Sequence, residues 1–123
     1  MNEIKTASAP AAVGPYSQGA VTESGLVITS GQLPINPATG TIESDCVKRQ
    51  ARQSLENVRA VLEAAGKTMA DVAKTTVYLA DIADFADVNE VYGEFFGAPY
   101  PARSCFQVGA LPMGAKVEIE AMC

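Results

Sequence analysis

Two stretches of this sequence carry the 3-and-4 apolar spacing of an amphipathic helix and six others read as strands, an imbalance that constrains the fold more than any other feature. Over residues 46–65 the stripe is Val47, Ala51, Leu55, Val58, Leu62 and Ala65, with Ser44 or Asp45 placed to cap the start and Gly66 the end. Over residues 85–96 it is Phe85, Val88, Tyr92 and Phe95, with Asp84 as the cap and Gly97 closing the helix. Two helices cover one face of a sheet. The other face must meet solvent or a partner. Because both faces of the strands carry apolar residues, a partner is expected, and the cheapest one is a further copy of the same chain.

The strands fall at residues 4–6, 19–23, 26–30, 72–80, 103–108 and 117–121. Ser24-Gly25 signals a hairpin between the second and third, and Pro37 with Gly40 fits a type I turn in the loop that follows. The strand at 72–80 is β-branched, with Thr75, Val77 and Leu79 on one face and Thr76, Tyr78 and Ala80 on the other, both at least partly buried. The order is β-β-β-α-β-α-β-β, an α+β chain. At 123 residues and 48% hydrophobic, it is read as one domain over 1–123. A chain of this length buries roughly two-thirds of its unfolded surface.

The informative polar residues lie near the end. Period-2 alternation puts Arg103, Cys105 and Gln107 on one face and Ser104, Phe106 and Val108 on the other; in the last strand Val117, Ile119 and Ala121 oppose Glu118 and Glu120. Residues 109–114 are short enough to join the two strands as an antiparallel hairpin. If Phe106 and Val108 share the buried face with Val117 and Ile119, then Arg103, Cys105 and Glu118 gather on the other face. A guanidinium, a thiol and a carboxylate together suggest a small anionic ligand. Arginine's planar fork matches a carboxylate with two parallel hydrogen bonds. On the residues alone, an ion pair between Arg103 and Glu118 or Glu120 is an equal reading.

Composition removes several function classes. The formal charge is −5, from 14 acidic and 9 basic residues, which does not make a phosphate-backbone footprint. Lys48, Arg49, Arg52 and Arg59 alternate with Glu56 and Glu63 as a solvated helix face. Histidine is absent, so the usual neutral-pH base and commonest metal ligand are missing, and no metal or cofactor is expected. Without a histidine to activate it, Cys105 is not read as a nucleophile, and a single cysteine is often a small buried hydrophobe. The three cysteines, Cys46, Cys105 and Cys123, have no C-x-x-C spacing. Reduced thiols, no apolar run of about 20 residues and no signal-peptide core lead to the expectation of a cytoplasmic protein that binds neither membrane nor nucleic acid.

Pro101-Ala102-Arg103-Ser104-Cys105, then Gly109-Ala110-Leu111-Pro112, then Val117-Glu118-Ile119-Glu120-Ala121 resemble the signature of the Rid family, the YjgF-type reactive intermediate deaminases. The resemblance extends to Gly14-Pro15-Tyr16-Ser17-Gln18-Gly19, to Ile28-Thr29-Ser30-Gly31-Gln32 and to residues 50–58. It implies a chorismate-mutase-like (YjgF-type) fold, a mixed six-stranded sheet with two helices on one face, assembled as a homotrimer with sites in clefts between subunits. The implied reaction is hydrolysis of 2-iminobutanoate and 2-iminopropanoate to 2-keto acids and ammonia. By the same resemblance Arg103 holds the substrate carboxylate, Glu118 and not Glu120 positions the attacking water, and Cys105, Tyr16, Ser30, Gly31 and Asn89 shape the pocket. A different class of reading is a module that binds a 2-keto acid without turnover. Family members have also been described as ribonucleases or translation inhibitors, which the acidic balance and the missing histidines make less attractive.

Overall fold

The computed structural model describes residues 1–123. Its sheet has six strands, β1 (Asn2–Ile4), β2 (Gly19–Val21), β3 (Val27–Thr29), β4 (Lys74–Leu79), β5 (Ala102–Gln107) and β6 (Val117–Met122), in the order β1-β2-β3-β6-β4-β5. All neighbours are antiparallel except β4 and β5, which run parallel. Helices α1 (Val47–Ala64) and α2 (Phe85–Phe95) pack against each other on one sheet face. This is the mixed α+β architecture expected from the sequence.

α1 forms where its stripe predicts. Ala51, Leu55, Val58, Val61 and Leu62 are completely buried and meet Val77, Leu79, Val117 and Ile119 in one core. Each fully buried aliphatic side chain stabilises the fold by roughly 1.5–3 kcal/mol. Neither Ser44 nor Asp45 caps the helix. Cys46 occupies that position without a side-chain bond, and the Ser44 hydroxyl instead accepts the Cys46 N–H at 3.0 Å. Gly66 ends the helix as expected. Its φ of 76° lets Gly66 N–H reach the Glu63 carbonyl and Lys67 N–H the Leu62 carbonyl, both at 2.9 Å. The basic residues of α1 are solvated ion pairs: Lys48 with Glu90 and Arg52 with Glu94 across the helices, and Arg59 with Glu56.

Asp84 starts α2 without a capping bond; the cap lies one short turn earlier, where the Asp81 carboxylate accepts the Ala83 N–H at 2.9 Å. On the inner face Val88, Val91 and Tyr92 are buried, but Phe85 is exposed. β1 ends at Ile4, two residues before the expected limit. The side-chain amide of Gln18 explains this, accepting the Thr6 N–H at 2.7 Å and donating to the Thr6 carbonyl at 3.0 Å, as a neighbouring strand would. Gln18 also donates to the carbonyls of Ala9 and Pro10, fixing the Ala- and Pro-rich loop.

The expected β5–β6 hairpin does not form, because β4 lies between the two strands. β4 is the strand best suited to the centre: its alternate residues Thr75, Val77 and Leu79 are completely buried, and the intervening ones half-buried. β5 follows α2 as a parallel crossover and takes the edge, where its polar residues meet water. In register, Val77 stands beside Cys105 on one side and Ile119 on the other. Arg103, Cys105 and Gln107 therefore share the helix-covered face with Val117 and Ile119, while Phe106 lies on the opposite, open face and is 45% exposed.

Asn57 joins this core to the loop between β3 and α1. It is buried in α1, accepts from Gln53 and donates to the carbonyls of Leu33 (3.0 Å) and Ile35 (2.9 Å). Asn57→Ala leaves the buried Ile35 carbonyl and the part-buried Leu33 carbonyl without this donor and is expected to lower stability by roughly 3 kcal/mol in urea unfolding. A loss under about 1 kcal/mol would show that water replaces the amide.

Candidate functional site

Arg103 emerges from β5 toward α2. Its Nη1 donates to Asn89 Oδ1 at 2.7 Å, and its guanidinium carbon lies 4.7 Å from the Tyr92 ring centroid and 5.5 Å from that of Phe85. No carboxylate of the chain pairs with it, so the ion-pair reading does not hold. Beside it opens a cavity of about 340 Å³ lined by Asn89, Tyr92, Gly93, Tyr100, Pro101 and Arg103. Cys105 is two residues along the same face, part-buried. Burial pushes its thiol above the ordinary range, only partly offset by Arg103, which keeps it protonated near neutrality and unsuited to nucleophilic attack.

Glu118 lies on the other face of the sheet. In register it stands beside Tyr78 and shares the open face with Glu120. Its carboxyl is pushed up by burial and further by the neighbouring Glu120 charge. The Tyr78 hydroxyl donates to Glu120, and that bond, with burial, pushes the phenol up to about 12. Gly31 packs directly against the Glu118 side chain, and a Cβ there would overlap the carboxylate. Gly31 thus belongs at this position because nothing larger leaves Glu118 where it is. Ser30 adjoins; its Oγ donates to the Ser17 carbonyl at 2.5 Å, tying the Tyr16 loop to the end of β3. Tyr16 itself is exposed, accepts the Val13 N–H at 3.2 Å and borders a different cavity with Lys5, Thr6 and Gln18.

A single chain therefore does not gather the expected residues. Arg103, Cys105 and Asn89 form one group on the helix side, and Glu118, Gly31 and Ser30 a second on the open side. The expectation that Arg103 and Glu118 share a sheet face is wrong because it rested on the hairpin: with β4 inserted, the faces of β5 and β6 are set by β4 and not by each other. Phe85 and Tyr92, read as core, touch the arginine. The signal was present in their spacing from Asn89, four and three positions away on one helix face.

The remaining thiols differ sharply. Cys46 is exposed at the start of α1, where the nearby backbone N–H groups of Arg49 and Lys48 lower its pKa, whereas burial raises Cys123 as it does Cys105. Under limiting iodoacetamide at neutral pH, Cys46 is expected to be alkylated well before the other two. Peptide mass spectrometry that finds Cys105 or Cys123 labelled first would contradict this.

Two helices on one face of this mixed six-stranded sheet, with an arginine-centred group and a carboxylate-centred group on its opposite faces, define a small α+β protein of the YjgF type. Residues 6–123 match the family described as Endoribonuclease L-PSP, and the chain belongs to that family. It is 53% identical over 122 residues to the 2-iminobutanoate/2-iminopropanoate deaminase of Escherichia coli K12, covering 97% of this chain and 94% of that one. It is 56% identical over 119 residues to the RutC family protein y4sK of Sinorhizobium fredii, with the same coverage. The crystal structure of E. coli TdcF with bound serine superposes with a TM-score of 0.94 at 51% identity, over 100% of this chain and 98% of the other. No helix is long and apolar enough to cross a membrane.

Proposed function

We propose that the chain hydrolyses 2-imino acids, 2-iminobutanoate and 2-iminopropanoate, to the corresponding 2-keto acids with release of ammonia, in a cleft completed by two copies of the chain. The observation that carries this reading is Arg103. Its guanidinium is held rigidly at the mouth of a cavity, with no carboxylate of its own chain to neutralise it. A 2-imino acid supplies a carboxylate next to the reactive carbon. Near-full-length identity to a deaminase of that name supports the substrate class.

In the reaction, water oxygen bonds to C2 as the C=N pair moves to nitrogen. One water proton passes to that nitrogen to give the carbinolamine; its hydroxyl proton follows as the oxygen collapses to C=O, and the C–N pair leaves with nitrogen as ammonia. Imines hydrolyse readily, so holding the carboxylate and aiming the water suffices, with no nucleophilic side chain required. Arg103 serves the first role and Glu118 the second. As these lie on opposite faces of one sheet, they meet only if one copy offers Arg103, Cys105 and Asn89 and its neighbour offers Glu118, Ser30, Gly31 and Tyr16. The open face has the surface for such assembly: Phe106 and Met122 are exposed there, and Tyr78 packs edge-on to Phe106 with ring centroids 5.4 Å apart. A homotrimer is the proposed assembly, and light scattering should return three times the monomer mass. The free cysteines fit a reducing cytoplasm.

The test couples a pyridoxal-phosphate dehydratase to generate 2-iminobutanoate and follows its loss with and without the protein. Acceleration supports the enzyme. The structure of TdcF with bound serine favours a second reading, in which the cleft holds an amino or keto acid without turnover. Absence of acceleration with 2-ketobutanoate still bound would establish that reading instead.

A further inference from the structure

Arg103 lies on an edge strand, where a long side chain would ordinarily sample many rotamers. Here one helix holds it. Phe85, Asn89 and Tyr92 are four and seven positions apart, which at about 100° per residue puts them within one stripe roughly 60° wide. The two rings lie against the guanidinium, and Asn89 takes one of its protons at 2.7 Å. Arginine has only donors, so the amide oxygen of Asn89, not its nitrogen, must face it. Tyr92 is in turn fixed: its hydroxyl and Thr75 Oγ1 share a buried hydrogen bond of 2.7 Å, and Thr75 is the residue opposite Arg103 in the β4–β5 register. The contacts close a loop from Arg103 across the sheet to Thr75, through two hydroxyls to Tyr92, and back through the ring.

We propose that Phe85, Asn89 and Tyr92 are positioning residues for Arg103, forming a cradle on α2 that holds the guanidinium in one orientation with a pair of N–H donors turned toward the cavity. Core packing accounts for Tyr92, which is buried, but not for Phe85, which is 39% exposed and lies outside the core. A guanidinium ordered in advance loses less freedom when a carboxylate binds, so the cradle acts on affinity. One Arg103 proton is committed to Asn89, and the four remaining donors include the Nε–Nη2 edge that pairs with a carboxylate through two bonds. The proposal rests on the assignment of Arg103 as carboxylate anchor.

The test uses the full chain in its native assembly, with kinetics on 2-iminobutanoate, calorimetry with 2-ketobutanoate and melting temperatures. Phe85→Leu keeps apolar volume but removes the ring quadrupole; KM and the 2-ketobutanoate Kd are expected to rise roughly threefold with kcat unchanged. Phe85→Tyr, which restores a ring, should return both to wild type. Asn89→Asp still accepts the Nη1 proton but puts a competing carboxylate on the guanidinium, so KM should rise about tenfold without a fall in melting temperature. If Arg103→Ala raises KM while Phe85→Leu and Asn89→Asp leave it unchanged, the cradle is overturned and the anchor stands. If Arg103→Ala leaves KM unchanged, the anchor fails and the cradle with it. A Phe85→Leu loss that falls on kcat, tracking a lower melting temperature, would make the residue structural and also overturn the proposal.

Discussion

Arg103→Ala is expected to reduce kcat/KM for 2-iminobutanoate by a factor of several hundred, with most of the loss in KM. A bidentate guanidinium–carboxylate contact comprises two charge-assisted hydrogen bonds, together roughly 3–4 kcal/mol once desolvation is offset, and every 1.4 kcal/mol is about tenfold. The carboxylate does not change charge during hydrolysis, so ground state and transition state use the contact alike, which places the loss in KM. Arg103→Lys should recover little, because an ammonium offers a point charge without the planar fork and does not lie flat against Tyr92. Folding should be nearly unaffected. Arg103 lies on an edge strand, half-exposed, and its removal leaves Asn89 open to water. A variant with wild-type KM would eliminate Arg103 as the anchor.

The parts of this fold legible from sequence are those set by local periodicity. The α1 stripe, the Gly66 stop, the two faces of β4 and the alternation within β5 all depend on residues a few positions apart, and all are present in the structure. Strand pairing is different, because it is a competition among distant segments. Seen alone, residues 109–114 suit a hairpin as well as a crossover. What excludes the hairpin is β4, whose buried Val77 and Leu79 gain more at the centre of the sheet than β5, with its arginine, cysteine and glutamine, could. A wrong pairing then reversed the relative phase of two strands whose own alternation was right. The site divided in consequence. Arg103, Glu118 and Gly31 were identifiable as residues, but their division between two faces follows from the sheet order. Gln18 was missed for a related reason: a side chain standing in for a backbone strand has no periodic signal.

Glu118→Gln should separate activity from stability in opposite directions. An orienting or proton-accepting carboxylate is worth roughly 100-fold in kcat, and the amide keeps the shape while removing the charge. Burial, then the Glu120 charge, raises the Glu118 carboxyl above its ordinary value of 4.5. Wild-type kcat should therefore fall on the acid side as this carboxyl takes up its proton, at a pH above its ordinary value, and this limb should vanish in the glutamine variant. For stability the sign follows from proton binding. A folded-state pKa above the unfolded one means that the native chain holds the proton more tightly, so this group's contribution is fully present below the unfolded value and is lost as pH rises through the folded one. Glutamine never ionises, so Glu118→Gln should melt higher than wild type at about pH 8 and at the same temperature near about pH 4. Glu120 is the control. Its carboxylate is already engaged by the Tyr78 hydroxyl, so Glu120→Gln should retain turnover and, by removing a neighbouring charge, move the acid limb to lower pH. Turnover abolished in Glu120→Gln and preserved in Glu118→Gln would transfer the water-positioning role to Glu120. A Glu118→Gln variant that is both slower and less stable would mark the carboxylate as a structural element of the open face.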